Sequence, residues 1–592
     1  MLLIQEWILH LTCLLGLALA GGFILAPFGR RLPYLWLSAP LAGIGMMSVG
    51  LTAGFMIDLP LVWNLALNVL ILSSLTLWTL FRLPQPTNIL LPSLLILLFS
   101  GLCTVTIQDT TLRSRGPGVL LKDGTDSLGY AHVADWLRTH RWSEPPVADP
   151  SVPYQSWPAY GRSDHRPGAY LFLAALSWLR RESGLFTYDF ASALVLCAGL
   201  LGFGGAFAHS RTGLLLLLAG ATVSSLFDLS RSGYFGKILA YPSALLVASL
   251  FLHSLEDMNV KKLARIGALA LGASLLQSGI PVALFLCLAW TGVPLGRVRH
   301  WLSRSKQTGF PESPTPAIGV SFMHLVVVAG LAAGSWLLVR GGLPNMPMNM
   351  VWGNVLLVGL DLKHHALFLP MRIPKAGLNV LLVGTLLVHL ALAGVAIYRR
   401  NIVATGLLGG LFCFLLAALS LNLRWPFYQS LGALYLLAVA GAIRLWEDLP
   451  HSSMRIYRIG IPLLFVLLVG SRIPRFIVSA NRYLGSRAFD TERYLKSDLD
   501  RIHTIIGKKT VDLRLPEAYP ALAVLVELGR RDVKLQMDPD TWRVLVGYRR
   551  WPPPAVEKPG DLLLLPAKTT SPPGAKILFQ NAQYILFGRP PI

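Results

Sequence analysis

The chain has 592 residues, of which 54% are hydrophobic and only 14% charged, and its mean hydropathy is +0.56. A soluble domain carries about 25% charged residues, so these values exclude an ordinary soluble protein and indicate a polytopic membrane protein built around one helical bundle. The formal net charge of +22 does not point to nucleic acid. The basic residues fall in short clusters between apolar runs, "GRR", "VKKLAR", "GRVRHWLSRSK" and "YRR", which is the distribution of cytoplasmic loops.

Apolar runs long enough to cross about 30 Å of hydrocarbon predict spans near 7–27, 34–57, 61–81 and 87–107. The first lacks a basic leader and a small-residue cleavage motif, so it reads as a span and not as a signal peptide. A polar region over 108–184 follows, and within it "GAYLFLAALSWL" (168–179) is too short to span and ends at Arg180 and Arg181, so an interfacial helix is expected. Further runs lie near 185–208, 213–228, 236–253, 264–277, 280–296, 318–339, 378–398, 402–421, 426–446 and 458–478, about fourteen in all. The expected units are 1–107, the loop 108–184, a bundle over 185–481 with an outer loop 340–377, and a soluble unit over 482–592.

Each span switches sides, and Lys and Arg gather on the cytoplasmic one. With Arg30, Arg31 and Arg82 inside, the loop 108–184 is outside, while Arg211, Lys261 to Arg265, Arg297 to Lys306, Arg399 and Arg400 return inside. The C-terminus emerges outside. The runs 213–228, 236–253, 264–277 and 280–296 are marginal for full spans, so their turns "DLSRSGYFGK" and "QSGIP" are expected below the outer surface, lining a cavity. Cys13, Cys103, Cys197, Cys287 and Cys413 all lie in apolar runs, which suits packing and neither a disulfide framework nor a zinc site.

Beyond Arg482, "KKTVDLRL" reads as a strand, "EAYPALAVLVELGRR" as a helix, and "VKLQM", "DLLLLP", "AKILFQ" and "YILFG" as strands. This is a small α/β domain without a glycine-rich phosphate loop. No internal repeat is evident.

Chemistry concentrates in "KDGTDSLGYAHVADWLRTHRW". A helix beginning near Asp123 to Asp126 puts Asp126, Tyr130, Val133 and Leu137 on one face. Asp123 and Asp126 suit helix capping; they equally suit a general base or, together, a divalent-cation site such as Mg or Mn. The spacing permits all three readings.

An acid shortly after a span, "Y…A..L" on a helix and then "SDHRPGAYLFLAAL" resemble the GT-C superfamily of polytopic glycosyltransferases, in which an acid of the first large outer loop acts on a lipid-linked sugar donor. The resemblance extends to the irregular bundle and the soluble C-terminal unit. It implies a GT-C-like membrane enzyme of the bacterial cytoplasmic membrane, with site and α/β domain outside. The donor would be a polyprenyl-phosphate sugar and the acceptor an envelope glycan, lipid or protein. By that pattern Asp126 takes the place of the catalytic acid, with Asp123 second and Asp164 a further candidate. The adjacent acidic pair common in the superfamily is missing here.

An anionic leaving group needs a cation near the outer face. Arg231 and Lys237, in a turn between two short runs, and Arg424 in "NLRWPFYQS" answer that need, as do Arg340 and Arg372 by parity; each also suits an arginine or lysine snorkelling to lipid phosphate. Tyr130, Tyr234, His165, His364 and His365 are candidates for substrate contact. Tyr234 and Trp425 equally suit an aromatic belt, the His pair lacks a third metal ligand, and His132 and His165, which flank the candidate acids, suit a supporting role beside them or, more readily, exposed structural roles. Two further classes compete: a transporter or flippase of a lipid-linked or anionic substrate, against which stand the scarcity of mid-span charge and of repeats, and a non-catalytic assembly protein for envelope polysaccharide.

Overall fold

The computed structural model describes residues 2–29, 32–80, 90–108, 126–141, 167–224, 235–254, 259–276, 380–398, 403–408, 424–448, 455–470, 496–515, 524–529, 533–538, 559–581 and 584–589, with a few isolated positions between them. Thirteen helices of its apolar part are α1 (Leu2–Leu25), α2 (Ala39–Met56), α3 (Leu61–Leu80), α4 (Leu90–Cys103), α5 (Asp126–Thr139), α6 (Pro167–Arg180), α7 (Gly184–Phe207), α8 (Arg211–Thr222), α9 (Phe235–His253), α10 (Val260–Leu276), α11 (Val380–Tyr398), α12 (Arg424–Glu447) and α13 (Arg455–Gly470). Among the described residues, five segments are long and apolar enough to cross a membrane: Leu3–Phe28, Leu35–Met56, Leu61–Thr79, Leu90–Gln108 and Gly184–Phe207. Of the other expected spans, 213–228, 236–253, 378–398 and 458–478 coincide with shorter apolar helices. The runs 280–296 and 318–339 and the loop 340–377 lie outside the described residues, as does most of 402–421.

Small residues set how closely the helices approach. A Cβ placed on Gly43 of α2 would lie 1.9 Å from the carbonyl oxygen of Leu17, and one on Gly21 of α1 would lie 2.2 Å from that of Ala39. Backbone therefore meets backbone along the α1–α2 seam, the contact that glycine permits in membrane bundles, where dispersion replaces the hydrophobic effect between helices. Gly272 of α10 meets Gly45 of α2 in the same way. Between α2 and α3 a polar contact does the work: buried Asn64 donates to the Leu51 carbonyl at 2.8 Å, and within α3 Asn68 donates to Asn64 Oδ1 at 2.7 Å. Helices α3 and α4 instead turn Trp63, Leu70, Trp78, Leu90 and Leu98 outward, as a face toward lipid would.

Helix α7 is buried along its whole length and orders the bundle. Its start meets α5, and α6 joins its own last residue, Arg180, to Glu6 of α1 at 2.9 Å. Twenty-four residues later, about 36 Å along at 1.5 Å per residue, His209 and Ser210 donate backbone N–H groups to Glu447 at the end of α12. Near the end of α1, Arg265 of α10 donates to the Phe23 carbonyl at 2.6 Å, and Lys262 lies 5.8 Å from the Phe28 ring. The bundle so has two ends, one holding the starts of α1 and α7, the other holding their termini with Arg265, Lys262, Glu447 and Asp448.

One expectation is corrected. Residues 168–177 of α6 are all buried, and a Cβ on Gly168 would press on Ser48 and Leu275 at 2.8 and 3.1 Å. The helix is wedged between α2, α5, α7 and α10 instead of lying in an interface with one face to lipid.

The C-terminal part carries α14 (Lys496–Ile506) and five strands, β1 (Val511–Leu513), β2 (Leu535–Met537), β3 (Leu562–Pro566), β4 (Lys576–Gln580) and β5 (Tyr584–Gly588). Their order is β2-β1-β3-β5-β4, parallel through β3 and antiparallel beyond it. Every strand falls where the sequence indicated. Interior β1, between β2 and β3, is buried on both faces, as a parallel core strand must be, and Asp512 within it pairs with Arg589 and accepts from the Gly560 N–H at 2.9 Å.

Candidate functional site

Helix α5 begins at Asp126, and Tyr130, Val133 and Leu137 of the anticipated face are buried. The charges at its other end hold it in place. Asp135 Oδ1 accepts the N–H of Gly184 at 2.6 Å, satisfying one of the donors left open at the start of α7. Arg138 donates to the Glu182 carbonyl at 2.6 Å. Gly184 completes the clamp, because a Cβ there would lie 2.6 Å from the Ala131 carbonyl oxygen. Arg180 then joins Glu182 at 2.9 Å and Glu6 across the top of α1. Burial opposes the Arg180 charge, but Glu6 and Glu182 outweigh it and raise its pKa above the ordinary value.

The start of α5 meets the starts of two other helices. The Tyr130 ring packs 5.1 Å from Tyr170 in the first turn of α6 and 5.7 Å from Phe235, the first residue of α9. Tyr188 of α7 closes the cluster, 5.8 Å from Phe235. Tyr130 Oη also accepts the N–H of Gly236 at 3.2 Å. Such first-turn N–H groups have no intrahelical acceptor, so α9 is capped here by a side chain of α5. Three helix N-termini are thereby drawn to one end of the bundle, each with the positive end of its dipole there.

Chain connectivity places the predicted residues relative to this cluster. Asp126 is the first residue of α5 and Lys237 the third of α9. Asp164 and His165 immediately precede α6, and Arg231 and Tyr234 precede α9; these four, with Asp123, His364, His365, Arg340 and Arg372, lie outside the described residues. Arg424 opens α12, whose opposite end, Glu447, is tied to His209 and Ser210, so Arg424 belongs to the end that holds the starts of α5 and α7. Two expectations change. Tyr130 is 2% exposed, too enclosed for the substrate contact anticipated for it, and its neighbours are other helices. His132 is 1% exposed, a core histidine and not an exposed one. Among the described residues no three His, Cys, Asp or Glu side chains converge on a metal site.

Asp135 and Arg138 were not singled out in the sequence. Their partners are backbone groups of Gly184 and Glu182, 49 and 44 residues away, and no local pattern announces such pairing. At the other end of the bundle Glu447 accepts from the Ser210 hydroxyl at 2.7 Å and its N–H at 2.8 Å, Asn401 donates to Asp448 at 2.7 Å, and the His209 ring lies 5.3 Å from that of His253. Burial, followed by the neighbouring Arg444 charge, lowers the His209 pKa.

No protein-family model and no curated protein matches the chain. What fold and site define together is a class: a helical bundle with apolar segments of membrane-crossing length, three helix starts gathered at one end of it, and a small α/β unit at its C-terminus.

Proposed function

We propose that the chain is a polytopic membrane glycosyltransferase of GT-C type, moving a sugar from a polyprenyl-phosphate donor to an envelope glycan, lipid or protein acceptor on the outer face of a bacterial cytoplasmic membrane. The observation that carries this reading is the meeting of the first turns of α5, α6 and α9 around Tyr130, Tyr170 and Phe235. Segments more than a hundred residues apart that bear the predicted acid, Asp126, and a predicted cation, Lys237, begin side by side. In support of the outer placement, Lys262, Arg265 and Arg211 belong to the opposite end, where positive charge is retained on the cytoplasmic side. About fourteen membrane segments and an extracytoplasmic α/β domain complete the architecture.

In the mechanism Asp126 takes the proton of the acceptor hydroxyl as it attacks the anomeric carbon, and Arg231 with Lys237 and Arg424 stabilises the phosphate as it leaves, inverting the configuration. Asp123 and Asp164 stand by as the second acids, and His165, Tyr234, His364 and His365 as sugar or phosphate contacts. A divalent cation, if one is used, would be held by Asp123 and Asp126. General-base assistance is worth roughly 10² to 10⁴ in rate, so Asp126→Asn is expected to lower transfer from a labelled polyprenyl-phosphate sugar by about that factor with folding intact. Undiminished transfer by both Asp126→Asn and Asp123→Asn would remove the proposed base.

A further inference from the structure

Resting on that reading, we propose that Tyr130 is a positioning residue, whose hydroxyl fixes the acid-bearing helix α5 to the first turn of α9 and so holds the acid and the phosphate-binding cation in register. Three features of its surroundings lead there. The ring is 2% exposed and touches Tyr170 and Phe235, so it is an internal group and not a contact for substrate. Its hydroxyl accepts the Gly236 N–H, one residue before Lys237 and one turn of α5 from Asp126. Finally, the Gly236 N–H belongs to a helix start, where nothing within α9 can accept it. A tyrosine reaching from another helix therefore does what a local Ser, Thr, Asp or Asn side chain ordinarily does, and in doing so makes the geometry of one helix start depend on the other.

The ring and the hydroxyl have separable duties. Tyr130→Phe keeps the aromatic packing and deletes the cap, leaving α9 free to shift relative to α5. Alignment errors far smaller than a residue are costly in such sites, and one hydrogen bond corresponds to about a five- to tenfold change in an equilibrium. Because a generally destabilised bundle also binds less, Ser38→Ala serves as control. Ser38 Oγ donates to the Gly202 carbonyl at 2.7 Å near the other end of α7, so its loss removes a comparable buried bond away from the site.

The test uses the full chain in lipid nanodiscs, titrated with a long-chain polyprenyl phosphate carrying no sugar, with thermal unfolding recorded for each variant. Affinity about five- to tenfold weaker for Tyr130→Phe, with Ser38→Ala binding as wild type despite a comparable fall in Tm, supports the positioning role. Wild-type affinity in Tyr130→Phe overturns it while leaving glycosyl transfer standing. Equal weakening in both variants also overturns it, since the effect would then be general loosening. Absence of saturable binding by the wild type removes the glycosyltransferase reading and the inference with it.

Discussion

Gly184 and Ser230 show how single positions bear on the site. Gly184 lies where α7 starts against the backbone of α5, and a methyl group there would meet the Ala131 oxygen at 2.6 Å. Backbone atoms cannot rotate away as a side chain can, so Gly184→Ala is expected to cost about 1–3 kcal/mol, read as a lowered Tm in detergent, and to reduce transfer through displacement of α5. Ser230 is the reverse case: its hydroxyl is buried and has no hydrogen-bond partner among the described residues. Removing an unsatisfied polar group relieves a penalty of about 1–3 kcal/mol, so Ser230→Ala is expected to match or exceed the wild-type Tm; a clear fall would show that the hydroxyl is satisfied. The buried face of α5 was legible because apolar spacing reports it directly. The Asp135–Gly184 and Arg138–Glu182 contacts were not, since a charge in a sequence carries no record of a distant carbonyl or N–H.

Helices were legible to the extent that hydropathy and length define them. The five long apolar segments fall on predicted runs because about 20 apolar residues admit few other structures. For α6 the same criterion misled: fourteen residues are too few to span, and a short apolar helix wedged inside a bundle has the same composition as one lying at its surface. What distinguishes them is Gly168, which fits between Ser48 and Leu275, and that contact is tertiary. Helix pairing also rests on glycines that composition does not rank. Gly43→Ala is expected to force α1 and α2 apart and to lower stability by more than about 1–3 kcal/mol. Gly16→Ala, on the same pair of helices with nothing within 4 Å of the added methyl, is expected to be neutral or to stabilise by about 0.5–1 kcal/mol. Thermal unfolding of the two variants side by side checks the seam; similar losses in both would argue against close backbone contact.

For the molecule as a whole, the two ends differ in chemistry: three helix starts gather at one, and His209, His253, Arg444, Glu447 and Asp448 at the other. His209 has a folded-state pKa below its unfolded value. The unfolded chain therefore binds the extra proton first, and stability is fully present above the unfolded pKa of about 6.5 and declines as pH falls from there toward the folded pKa. Wild type is expected to lose Tm on acidification through this window more steeply than His209→Gln; parallel curves would assign the acid sensitivity elsewhere. The small sheet could be read strand by strand because short Val/Leu/Ile-rich runs bounded by Gly and Pro leave little ambiguity, whereas its strand order required the fold. Most direct of all is incubation of wild-type protein in proteoliposomes with a polyprenyl-phosphate sugar labelled in the sugar. Release of free polyprenyl phosphate together with label in a new glycosidic bond is the expected result. Label that crosses the bilayer still attached to its lipid, with no new bond formed, would contradict glycosyl transfer and favour a transporter.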